Sequence, residues 1–146
     1  MLLSPYVSGN PAGWTLAAAT LFSLPLVWRS GHSDERACAL ALVFGIVTDL
    51  AIQLIDPASP SSLAHAAGNL LVLTLVTRNT LISRRIFPQV MAAAQLIAVT
   101  VYPWFWLGLI DGQLSFRVIL IAMDGVTIAA LWAGSAQSRR EQTSHA

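Results

Sequence analysis

The chain has 146 residues, of which 55% are hydrophobic and only 10% charged. A water-soluble domain carries about 25% charged residues, so this chain cannot cover a water-facing surface and the bilayer is the expected solvent for most of it. A net charge of +1 without a basic stripe argues against nucleic acid as a partner, and a single cysteine, Cys38, excludes an intramolecular disulfide, a CxxC redox pair and a thiolate zinc cluster.

The first thirteen residues hold no Lys or Arg, which is unlike the basic opening of a cleaved signal peptide. With Pro5, Gly9, Asn10, Pro11 and Gly13 they read as a short segment outside the membrane. A spanning helix needs about 20 mostly apolar residues. Runs of that kind fall at about residues 12–28, 37–55, 62–77, 88–110 and 117–134, the third being the shortest and most polar. Residues 1–134 thus read as one helical membrane domain, and residues 135–146 as a polar, disordered cytoplasmic tail. The gaps are short, which makes consecutive helices antiparallel neighbours.

All eight basic residues are arginines, and they are sorted. Arg29, Arg36, Arg78, Arg84, Arg85, Arg139 and Arg140 lie in alternate gaps that share one side of a membrane, and only Arg117 lies on the other. By the positive-inside rule the arginine-rich side is cytoplasmic. The pattern survives only if the weak third run is a true span. The expected fold is therefore an all-α membrane protein, a bundle of about five transmembrane helices with the N-terminus out and the C-terminus in. Tyr102, Trp104 and Trp106 would mark the outer interface, and Trp28 and Trp132 the inner one. Arg78, Arg84 and Arg85 read as topology anchors at anionic lipid head groups. Asp34, Glu35 and Arg36 read as a solvated loop.

Pro103 should remove the bond to the Val99 carbonyl and kink its helix. Small residues one turn apart, at Ala41/Gly45, Ala64/Gly68, Ala94/Ala98 and Gly125/Ala129/Ala133, form seams that let helix backbones approach closely.

The informative chemistry is polar and intramembrane. Asp49 and Gln53 lie on the second run, His65 and Asn69 on the third, Gln95 on the fourth and Asp124 on the fifth. Counting residues from the run ends at about 1.5 Å each puts the two aspartates at nearly the same depth. No Lys or Arg is available there, so each aspartate is expected to be protonated, bonded to Asn69 or Gln95, solvated in a wet cavity or paired with a cation. The cluster suits either a proton relay or a hydrogen-bonded clasp between helices, worth about 0.6–2 kcal/mol per bond. His65 reads as a snorkelling or capping histidine near the outer interface. His32, His65 and His145 make no metal-ligand motif, and no residue pattern calls for a cofactor.

From Ala66 to Pro103 the chain resembles a family of small bacterial inner-membrane proteins that has no assigned activity. The resemblance rests on a polar residue in one span (Asn69, where an aspartate is usual), the elbow Ser83-Arg84-Arg85-Ile86-Phe87-Pro88, and a glutamine (Gln95) in the next span. It implies a multi-pass protein of the bacterial inner membrane and supplies no mechanism.

Three function classes stay open. The first is a non-catalytic accessory or assembly subunit, partnered by other membrane subunits or by copies of itself. The second is an oligomeric proton-coupled transporter or channel using Asp49 and Asp124. The third is a holin-like lysis protein, suggested by the tail alone. An enzyme is disfavoured, because no span carries an HxxxD pair or a Ser/His/Asp set at helix spacing.

Overall fold

A computed structural model of the chain describes residues 11–30, 32–55, 62–83 and 85–144. Among the described residues five helices follow one another: α1 (Pro11–Ser30), α2 (Ser33–Ile55), α3 (Leu63–Ile82), α4 (Ile86–Trp106) and α5 (Gly112–Ser144). Each packs against its neighbour in sequence, and α5 returns against α1, so the helices close into a ring. A further contact between α2 and α5 crosses its interior.

Local chemistry sets the ends. Ser62 has extended backbone, and its hydroxyl accepts the His65 N–H at 3.4 Å, so it caps α3. The Pro88 ring lies in the first turn of α4, where its missing N–H costs nothing. Pro103 comes one turn before α4 ends. The Leu107 N–H then bonds the Pro103 carbonyl and the Leu109 N–H that of Trp104. Gly108 takes a φ of 71°, which a side chain would strain. The helix therefore stops at Trp106, short of the expected residue 110.

At the other end of the chain α5 runs on to Ser144, so the tail from residue 135 is helical and not disordered. The cause is tertiary, because Ser135 and Ser138 are buried against the rest of the bundle. Arg78 also lies within α3, which shrinks the basic loop to residues 83–85.

The interior has three layers. An apolar layer at the arginine-rich end joins Val27, Cys38, Leu42, Val76, Phe87, Met91 and Leu131 from all five helices. A second, at the opposite end, joins Ala98, Val101, Tyr102, Phe116 and Leu120 from α4 and α5. There Tyr102 meets Phe116 edge-on, with ring centroids 5.2 Å apart. Between and beside the two lies a polar layer, which Tyr102 of the second shares.

Close approach rests on two glycines. A Cβ on Gly45 would sit 2.9 Å from Val72 Cγ2, and one on Gly134 would sit 2.7 Å from the Phe87 ring. The Ala41/Gly45 and Ala94/Ala98 seams thus face neighbouring helices. The Gly125/Ala129/Ala133 seam does not: Ala129 and Ala133 are exposed, and α5 instead turns Ala130 and Gly134 inward.

Large apolar side chains point outward on every helix, among them Phe22, Phe44, Leu70, Ile97 and Val118. So many exposed large apolar side chains are unusual for a water-soluble monomer. Among the described residues two helical segments, Ile86–Trp106 and Gly112–Glu141, are long and apolar enough to cross a membrane. α3 does not reach that measure, because His65, Asn69, Arg78 and Asn79 dilute it.

Candidate functional site

The polar layer is built outward from the α3 cap. Ser62 Oγ accepts the His65 N–H and lies 2.7 Å from His65 Nδ1. The ring is buried, and its Nε2 lies 3.2 Å from Asp49 Oδ1 on α2, a charge contact without hydrogen-bond alignment. One turn further along α3, Asn69 Nδ2 donates to the His65 carbonyl at 3.0 Å and to the Tyr102 hydroxyl on α4 at 2.9 Å. Asp49 and Asp124 both lie within electrostatic range of that hydroxyl and of each other. Three helices thus join His65, Asp49, Asn69 and Tyr102 behind the half-buried Ser62, and Asp124 on α5 is buried as well.

Several expectations are revised here. His65 does not snorkel; it is 2% exposed and turned to Asp49. Tyr102 is no interfacial aromatic, since it is wholly buried, while Trp104 and Trp106 do stand exposed at that end. Gln95 is buried and directed to α5. Its Nε2 reaches Thr127 Oγ1 on α5 at 3.4 Å, and its buried Oε1 has no partner among the described residues. Gln53 lies one turn beyond Asp49 on α2, but its side chain is outside the described residues, as is Arg84.

The serine, histidine and aspartate form a chain that sequence spacing missed, because Asp49 comes from another helix. It is not the arrangement of a serine hydrolase. There the serine approaches Nε2 and the carboxylate holds Nδ1; here the two nitrogens are exchanged. Ser62 Oγ is also occupied as a helix cap. The space beside Asp49, His65 and Asn69 is about 10 Å³, room for at most one water. Among the described residues no group of three or more His, Cys, Asp or Glu is placed to hold a metal ion.

A second network closes the arginine-rich end. Glu35 is fully buried and accepts from His32 N at 3.0 Å, from Arg85 Nη1 at 2.9 Å and from the Ser138 hydroxyl. Arg85 also donates to Ser138 Oγ and, at 2.8 Å, to Glu141 Oε2. Beside it, Asp34 accepts from Ser83 Oγ at 2.7 Å, and Asn79 donates to the Asp34 carbonyl at 3.0 Å. Glu35 is therefore no solvated loop residue, and Arg85 is directed into the bundle rather than toward lipid head groups. The signal was present in Ser33-Asp34-Glu35, a cap and acidic pair of the kind that opens a helix. On the far side of the ring, the Trp132 indole N–H donates to Ser23 Oγ and ties α5 to α1.

No known protein family, curated protein or solved structure matches the chain. Its chemistry therefore rests on these two networks.

Proposed function

We propose that the chain is a polytopic integral membrane protein of the bacterial inner membrane that acts as a non-catalytic accessory or assembly subunit. In this reading all five helices cross the bilayer, with the N-terminus out and the C-terminus in. α3 counts as a span despite its low hydropathy, because lipid meets only its outer face. His65 and Asn69 are turned inward, while Leu63, Leu70, Leu71 and Leu75 are exposed. Its length of 20 residues gives about 30 Å, one hydrocarbon core.

The single observation that carries the subunit reading is the closed interior. Among the described residues the polar layer ties its helices to one another, and the space beside Asp49, His65 and Asn69 holds at most one water. What remains available to partners is the apolar exterior. Other membrane subunits or copies of the same chain are the partners such an exterior fits.

Two measurements test this. Reporter fusions after residues 30, 84 and 144 should read as cytoplasmic, and those after residues 59 and 111 as external. Extraction in a mild detergent should then yield the chain with a second membrane polypeptide or as an oligomer. A monodisperse free monomer would reject the subunit role.

A second reading, a proton relay within an oligomer, is favoured by the Ser62–His65–Asp49 chain. It leads from a half-buried hydroxyl to a carboxylate that acts on Tyr102 together with Asp124. Asp49→Asn with Asp124→Asn should abolish proton uptake into proteoliposomes while the protein still inserts; unchanged uptake would dispose of it. A lysis role drew on a loose charged tail, and a helical tail held by Arg85 and Glu141 lends it no support.

A further inference from the structure

A concave surface lies away from the polar layer and borders the arginine-rich network only at Asn79. Between α2 and α3, on the outside of the ring, runs a groove of about 690 Å³, within the size range of small-molecule sites. Its described walls are largely apolar, with Leu40, Phe44, Val47 and Leu75 among them; Asn79 is polar, and no acidic residue is among the described lining residues. The one charged group is Arg78, at the arginine-rich end. Among the described residues Arg78 makes no hydrogen bond or ion pair, in contrast to Arg85, whose guanidinium is fully engaged.

The dimensions narrow the occupant. Along α2 the lining runs from Ala37 to Val47, about 15 Å at the helical rise. That is half of a hydrocarbon core of about 30 Å, or one leaflet. A transmembrane helix of a partner would need a surface running the full depth. An acyl chain of one leaflet needs only this length, and its head group would lie beside Arg78. A guanidinium is suited to phosphate oxygens and keeps its charge at every relevant pH.

We propose that this groove binds one anionic phospholipid of the cytoplasmic leaflet, its acyl chain between α2 and α3 and its phosphate on Arg78. The assignment of leaflet rests on the topology proposed above, which the reporter fusions test separately. Lipid binding itself does not depend on the direction of insertion.

The test is native mass spectrometry of the detergent-purified chain after exchange with vesicles of phosphatidylglycerol or of phosphatidylcholine. The wild type should retain one lipid with about a fivefold preference for phosphatidylglycerol, the factor expected for one basic residue at an anionic head group. Arg78→Gln should lose that preference, and Arg78→Lys should keep most of it. Ala37→Phe, at an exposed position on the wall, should lower retention of both lipids. In native membranes a photo-crosslinker at Phe44 should capture lipid. Equal retention of both lipids by the wild type would overturn the proposal, as would preference unchanged in Arg78→Gln or capture of a polypeptide at Phe44.

Discussion

Arg85→Ala is expected to lower the unfolding free energy of the detergent-solubilised protein by about 3–5 kcal/mol, the cost of leaving a buried charge without its partner. Glu35 is fully buried and would keep only the His32 N–H and the Ser138 hydroxyl. The loss should be visible as structure as well as stability. Arg85 joins the start of α2 and the α3–α4 elbow to the C-terminal part of α5. Without it, limited proteolysis should cut α5 beyond Ser135 first. Two comparisons isolate the cause. Glu141→Ala removes only the half-exposed arm of the network and should cost about 1 kcal/mol or less. Pairing Arg85→Leu with Glu35→Leu should recover much of the loss, since replacing both members of a buried ion pair with apolar groups is often neutral. An Arg85→Ala protein that unfolds within 1 kcal/mol of the wild type would show that the network does not hold the helices together.

The second large effect is expected at His65. Replacing it by Leu leaves the Asp49 carboxyl in the interior without the imidazole 3.2 Å away, at a cost again of about 3–5 kcal/mol. The double change Asp49→Leu with His65→Leu should be far milder than His65→Leu alone, because no carboxylate then faces the introduced apolar side chain. Ser62→Ala supplies the scale of the cap, at about 1 kcal/mol. Denaturant unfolding in micelles distinguishes these cases. If His65→Leu and the wild type unfold alike, Asp49 needs no partner and the His65–Asp49 contact is not a clasp.

These two experiments bear on the division between structure and activity. The Glu35–Arg85 network ties the start of α2 to the α3–α4 elbow and the end of α5, so its expected readout is stability. The His65–Asp49 pair lies on a path toward Tyr102 and Asp124, so it can be measured for both stability and proton uptake. A variant that folds but loses uptake would favour the relay; one that merely unfolds would favour the clasp.

Four of the polar residues that sequence reading singled out share a property. Asp49, Asn69, Gln95 and Asp124 stand out because each is polar within an apolar run, and all four are buried. The misplaced ones were judged by their distance from a run's end. His65 and Tyr102 are near helix ends and were read as interfacial, yet both face inward. Glu35 sits among charges and was read as solvated, yet nothing in the described structure is more fully buried. Position along a helix was legible, whereas direction around it was not. The partners that decide direction, Asp49 for His65 and Arg85 for Glu35, come from other helices.

By itself, then, the sequence determined five helical elements, their order and the sorting of arginines to one end, because apolar run length and loop charge are properties of a contiguous segment. Only the tertiary structure decided which face of each helix turns inward. That choice depends on packing at Gly45 against Val72 and Gly134 against Phe87, and on the His65–Asp49 contact and the Arg85–Glu35 ion pair, between residues 16 and 50 positions apart. The same packing extended α5 through the polar tail, because burying Ser135 and Ser138 and pairing Glu141 with Arg85 outweighs the solvation that composition alone predicts for it.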